Sequence, residues 1–203
     1  MTIAIGPRSL GLLVFYNARR MYSSVNATGL SPAESKALKE RPIQSHEQKI
    51  VRALKEMYSC SPKEDTFQIY TPDAVFHDPV GIAEGPESIR AQFVGLTKQK
   101  IFPRADISKF RLLENPPNLA KNTILIDQDV AYFRDTKASS PTKILNSLLA
   151  IKLNDSNLVT SHEEQWNHEK SSTGEDGFLG FLNEHRKRLT AKLTDAIVGK
   201  SKV

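Results

Sequence analysis

Residues 143–166, KILNSLLAIKLNDSNLVTSHEEQW, decide the architecture. The first half is apolar at odd and even positions alike: Ile144, Leu148 and Ala150 share one face of an extended chain, and Leu145, Leu149, Ile151 and Leu153 share the other. A strand of this kind suits the middle of a sheet covered on both sides, which also raises the expectation of a homodimer across the outer face. Asn154-Asp155-Ser156-Asn157 is a run of turn formers, and alternation resumes after it. Leu158, Thr160, His162, Glu164, Trp166 and His168 then fall on one face, and Val159, Ser161, Glu163, Gln165 and Asn167 on the other. The large anchors Leu158 and Trp166 assign the first set to the covered, concave side.

Working outward, two more β-rich stretches, 104–114 and 122–135, are divided by Asn115-Pro116-Pro117-Asn118 and closed by Ser139-Ser140-Pro141. With 143–154 and 158–168 they predict four consecutive antiparallel strands. Upstream the period changes. Ser45 and Gln48 form a capping-box pattern ahead of Ile50, Leu54, Met57 and Tyr58 at helical spacing, until Ser59 to Pro62 stop the helix. Ser61-Pro62-Lys63-Glu64 predicts a second short helix that carries Phe67 and Tyr70 inward. Residues 74–78 read as a short strand and Gly81 to Gly85 as a loop. Ile89, Phe93 and Leu96 predict a third helix from Pro86 to Lys98. Helices segregated to the concave side of a curved antiparallel sheet make an α+β cone, whose interior is where a small ligand would sit. Tyr58, Tyr70, Phe76, Phe93 and Trp166 are the expected lining.

The chain has 203 residues, 39% hydrophobic and 25% charged, an ordinary globular composition. Its one cysteine, Cys60, allows no internal disulfide, so packing alone must hold the fold. The net charge is +5, but Arg8, Arg19 and Arg20 precede the first acidic residue, Glu34; without these three the balance is +2. Residues 44–169 hold no basic stripe with interleaved aromatics, so a nucleic-acid partner is not expected. No Gly-rich phosphate loop, Ser/His/Asp series or paired-cysteine motif is present. His77, His162, Glu164 and His168 do not have a zinc spacing, so neither cofactor nor metal is expected.

Residues 1–22 are basic and free of acid. Leu10, Gly11, Val14, Phe15 and Ala18 fall on one side of a helix, the composition of a mitochondrial transit peptide. Arg20-Met21-Tyr22-Ser23 resembles the site cut by the matrix processing peptidase, although a plain leader, or a start at Met21, fits the same residues. The apolar run is too short for a transmembrane segment. Residues 23–43 read as a linker, 44–169 as the domain and 170–177 as a flexible link. A final amphipathic helix, 178–198, aligns Phe178, Phe181, Leu182, His185, Leu189, Leu193 and Ile197.

Tyr70-Thr71-Pro72-Asp73-Ala74, then Asp78-Pro79-Val80-Gly81, then Ile89-Arg90 with Phe93 resembles the segment of ketosteroid isomerase that holds its catalytic aspartate. The element order of 45–168 resembles the nuclear-transport-factor-2-like superfamily, including its SnoaL-like members. The resemblance implies a small apolar or oxygenated organic ligand and gives Asp78 the place of a base that shuttles a proton on an enolisable ketone. It also implies two hydrogen-bond donors to the ketone oxygen, a tyrosine on the first helix and a protonated acid on a late strand. Here those places fall on Leu54 and Leu149, with Tyr58 one helical turn from the first. The isomerase reaction itself is therefore not expected. His162 and Glu164 are the candidate replacements, serving isomerase, cyclase or dehydratase chemistry with Asp78. Asp78 before Pro-x-Gly equally suits a turn cap, and a non-catalytic scaffold or assembly protein of the same fold is the alternative.

Overall fold

The helix that begins near Pro86 carries the chain from one edge of the sheet to the other, and the strand order follows from that crossing. The computed structural model describes residues 25–98 and 101–170. The segment 1–22 expected as a transit peptide, the helix expected at 178–198 and all but the first residue of the link expected at 170–177 lie outside the described residues. The elements are α1 (Pro32–Lys36), α2 (Gln48–Tyr58), β1 (Tyr70–Asp78), β2 (Gly81–Glu84), α3 (Gly85–Lys98), β3 (Arg104–Leu113), β4 (Thr123–Phe133), β5 (Lys143–Leu153) and β6 (Val159–Trp166). Short 3-10 turns, Ser45–Glu47 and Thr66–Ile69, lead into α2 and β1.

The six strands lie in the order β2-β1-β6-β5-β4-β3. From β3 to β6 they form the expected antiparallel meander. Gly81–Glu84 corrects the expected loop, since it pairs with β1 as an edge strand. The sheet is also mixed rather than wholly antiparallel, because β1 runs parallel to β6. After α3 delivers the chain to the far edge, three reversals bring β6 back beside β1 in the same direction. The second short helix shrinks to the turn Thr66–Ile69: the Thr66 hydroxyl accepts from the Lys63 amide at 2.8 Å and competes with helical pairing. α2 ends in a Schellman motif, with Cys60 at φ 56° in the place glycine usually takes and Ser61 N donating to Glu56 O.

Bulges bend the sheet. β3 slips in register between Ile107 and Lys109. On β6, Val159 pairs with Leu153 and Ser161 with Lys152, which leaves Thr160 as an extra residue. That bulge corrects the simple alternation: Val159, not Leu158, shares the concave face with His162, Glu164 and Trp166, and it is fully buried. Ile50, Leu54 and Met57 of α2 and Ile89 and Phe93 of α3 join Ile124, Ile126, Leu149 and Ile151 of the sheet in one core. Each such side chain, fully buried, contributes roughly 1.5–3 kcal/mol.

The outer face is covered by the chain itself. Leu113, Leu125, Leu148 and Ala150 form a second cluster beneath Ala27, Leu38 and Leu119. Residues 25–43 of the stretch expected as a linker are thus a strap across the sheet that covers Leu148 and Ala150 on the outer face of β5, while Ile144 on that face stays exposed. Polar groups hold the strap in place. Asn26 Nδ2 donates to Ser35 Oγ at 2.7 Å and to His168 O at 3.0 Å, and the Ala27 amide donates to Gln165 Oε1 at 2.8 Å. Arg41 makes a forked pair with the buried Glu47 at 2.9 and 2.6 Å, fastening the strap's far end to the start of α2.

Beneath the strap sits Asp127, 1% exposed. Its Oδ1 accepts from Lys109 at 3.0 Å, Asn146 at 3.0 Å and His168 Nε2 at 3.2 Å, and its Oδ2 from Arg111 at 2.6 Å. Burial pushes the carboxyl up, but the bonds from His168, Arg111, Lys109 and Asn146 outweigh it and hold the group far below the ordinary range. A carboxyl so depressed stabilises the fold above its ordinary value of 3.8, and that stability is lost as pH falls. Asp127→Ala leaves the part-buried Arg111 and the buried His168 without their shared acceptor and should cost about 1–3 kcal/mol in urea unfolding at pH 7. The difference from the unsubstituted protein should shrink as the pH is lowered below 4, to the extent that the variant still folds there.

Candidate functional site

Four polar side chains meet inside the cone. Tyr58 ends α2, Tyr70 opens β1, and His162 and Glu164 stand two residues apart on β6, so the bulge at Thr160 fixes which way the last two point. Tyr70 Oη lies 2.7 Å from His162 Nδ1, Tyr58 Oη lies 3.2 Å from His162 Nε2, and Tyr58 Oη donates to Glu164 Oε2 at 2.9 Å. His162 is 0% exposed and Glu164 7%. Burial pushes His162 down to about 3, so the ring is neutral throughout the physiological range. Glu164 goes the other way. Burial first and the charge of Asp78 second push it up to about 7, against hydrogen bonds from Tyr58, Ser147 and Trp166 that pull it down.

The expected lining residues gather around this chain. Phe76, Phe93 and Tyr70 surround the imidazole at ring-centroid distances of 4.9, 6.2 and 6.2 Å, and Phe93 also meets Tyr58 at 5.4 Å. The His162 end of the cone is therefore filled by the protein's own rings. Trp166 is buried on the same face, opposite Ser147.

Asp78 stands at the other end, half-buried, where β1 turns into β2. Its Oδ1 accepts the amides of Val80 and Gly81 at 2.9 and 2.7 Å, so the turn role is present. Its charge nevertheless reaches inward, acting on Glu164 and on the buried Tyr132. Both the cap and the inward field belong to the same carboxylate. His77 points outward and is exposed.

Three interior residues escaped the sequence reading. Tyr132 belongs to the inward series of β4 that includes Ile124, Ile126, Gln128 and Val130, and alternation alone could have found it. Gln128 Nε2 donates to Ser147 Oγ at 3.2 Å, while the amide oxygen of Gln128, 0% exposed, has no hydrogen-bond partner among the described residues. That oxygen would accept a ligand hydroxyl. His168 is a correction: Asn167 and His168, at φ 55° and 64°, turn it to the outer side, where it bonds Ser35 and Asp127. Ser35, His168 and Asp127 thus assemble a serine–histidine–aspartate order that was not legible in the chain. All three are buried beneath the strap, with the Ser35 hydroxyl bound by Asn26 as well, so the group is a clasp.

A groove of about 660 Å3 opens between α2 and β3, but its charged rim consists of surface ion pairs such as Lys63–Glu56 and Arg52–Asp65. The perturbed groups lie in the cone. Among the described residues no cluster could hold a metal ion, and no helix is long and apolar enough to cross a membrane.

Two helices and a 3-10 turn against a curved six-stranded sheet, with the acid, the tyrosines and the histidine inside it, complete the architecture implied by the Tyr70–Phe93 resemblance. The described chain has an α+β fold, a curved mixed sheet with helices on its concave side. No family model matches it, and no curated protein does. Among solved structures it is similar to a steroid Δ-isomerase from Pseudomonas aeruginosa, at 13% identity over 75% of this chain and 98% of that one, with a TM-score of 0.47. It is also similar to a SnoaL-like family protein from Agrobacterium tumefaciens, at 14% identity over 61% and 98% with a TM-score of 0.43. A nuclear-transport-factor-2-like protein of unknown function from Cytophaga hutchinsonii aligns at 10% identity over 62% and 93% with a TM-score of 0.40.

Glu164 leaves a signature in stability. Its pKa is raised from 4.5 to about 7 by folding, so the folded state holds a proton that the unfolded state has released, and stability declines as pH rises through that window. Glu164→Gln should abolish this decline, a difference on the order of 3 kcal/mol between pH 4.5 and 8, read by urea unfolding at the two pH values.

Proposed function

We propose that the protein binds a small oxygenated organic molecule in the cone and moves a proton on it, in the manner of an isomerase, cyclase or dehydratase. The observation that carries this reading is the pair of carboxyl groups in unlike settings. Asp78 is half-buried at the rim, and Glu164 is buried at the floor and pushed up to about 7, partly by the charge of Asp78. Two acids whose surroundings separate their proton affinities supply a base and an acid at one pH. Asp78 takes the proton from carbon, and protonated Glu164 donates to the oxygen where charge develops. His162, neutral and enclosed by rings, supports Glu164 and does not itself exchange protons with the substrate. The unpaired Gln128 oxygen favours a ligand bearing a hydroxyl.

The second reading, a non-catalytic scaffold or assembly protein, is favoured by the closed packing around His162. The acid-free segment holding Arg8, Arg19 and Arg20 supports a mitochondrial matrix location for either role if it is a transit peptide, and a cytoplasmic one otherwise.

Native mass spectrometry of the protein from its own cells reads any retained molecule, the subunit count and the mature start. The first reading expects a retained organic compound that gains deuterium when the complex is held in D2O. Asp78→Asn should slow that gain at least ~100-fold. An empty protein whose Asp78→Asn variant loses only turn stability would leave the scaffold role standing. A start at Ser23 is the expected mark of matrix import.

A further inference from the structure

We propose that Tyr70, His162 and Tyr58 are positioning residues wired in series, each donating to the next and the last to Glu164, so that Tyr70 tunes Glu164 through a histidine that stays neutral. The role in turnover rests on the reading above; the wiring itself rests on the count of protons. The hydroxyl of Tyr58 has one proton and two acceptors in reach, Glu164 Oε2 at 2.9 Å and His162 Nε2 at 3.2 Å. Once Glu164 is ionised its oxygen is the nearer and stronger acceptor, so it takes that proton. Nε2 must then carry a hydrogen of its own, because two lone pairs facing each other at 3.2 Å in a fully buried site would repel without water between them.

A neutral ring protonated at Nε2 offers its lone pair at Nδ1, and Tyr70 Oη stands 2.7 Å from it. Among the described residues the other acceptor in reach of Tyr70 is Met57 Sδ at 3.7 Å, a weak one. Reversing the chain would trade the bond to a carboxylate at one end for a bond to a thioether at the other. One polarity is therefore consistent: Tyr70 to His162 to Tyr58 to Glu164. The ionisable groups facing this chain are Cys60 at the end of α2, Asp78 on β1 and Tyr132 on β4; α3 presents Phe93, and β5 presents Ser147. The two ring nitrogens of His162 face the two tyrosine hydroxyls.

Ring 15N NMR of the histidine-labelled wild-type protein, with His162→Gln used for assignment, tests the polarity without any altered fold. The expected spectrum at pH 8, with Glu164 ionised, is that of a neutral Nε2–H tautomer. The carboxyl carbon of Glu164, followed by 13C NMR, tests the series. Tyr58→Phe should move its titration midpoint up by about one pH unit, the loss of a charge-assisted bond. Tyr70→Phe should move it up by a few tenths, through weaker polarisation of the chain. In a Tyr58→Phe background the Tyr70→Phe change should vanish. An Nδ1–H or doubly protonated His162 at pH 8, or a Tyr70→Phe effect of equal size with and without Tyr58, overturns the proposal. If the series holds while no retained compound takes up deuterium, the proton-transfer reading fails and the wiring stands; if deuterium is gained without the series, the reverse holds.

Discussion

The parallel pairing of β1 with β6 is the constraint on which the site depends. It sets Phe76 beside His162 and brings Tyr70 to the imidazole from a position 92 residues earlier. Asp78, at the end of the same strand, is carried to the rim of the cone that Glu164 floors. Without that one ladder the acid, the tyrosine and the histidine would belong to separate ends of the sheet. The ladder in turn depends on α3, which alone moves the chain across the sheet, and on the three reversals that bring β6 home in the direction of β1.

A tyrosine and an acid stand close to Leu54 and Leu149, the places that the resemblance gave to its two donors. Tyr58 is one helical turn along α2 from Leu54 and so lies on the same helix face. Glu164 is the residue directly opposite Leu149 in the β5–β6 register. A tyrosine shifted by a turn and an acid shifted by a strand reach the same interior, because the cone is small and both steps keep the side chain pointing inward. The cost is that Tyr58 now bonds Glu164 itself, and a histidine is needed to hold the tyrosine in that role.

Much of this was legible in the chain where a period of two or of 3.6 residues was at work. The four long strands, α2, α3 and the inward facing of His162, Glu164 and Trp166 all follow from such periods. What was not legible depended on pairing at a distance. The parallel β1–β6 ladder has no local signature, and the bulge at Thr160 shifts Val159 to the other face without any glycine to announce it. The strap was misread because its anchors are single polar residues, Asn26, Ser35 and Arg41, whose partners lie in other parts of the chain. His168 seemed to continue an alternation that two left-handed residues had already ended.

The strap and the parallel ladder together govern when the protein can fold. Asn26 bonds the carbonyl of His168 across 142 residues, and β1 has no inner neighbour until β6 exists. A chain emerging from the ribosome amino end first must therefore hold β1, β2 and the strap unpaired until almost the whole domain has been made. Non-local closure of this kind is slow, and it leaves strand edges exposed during synthesis. A protein built this way completes itself only after its last strand is out, so until then it stays pliable and its unpaired edges are open to other chains.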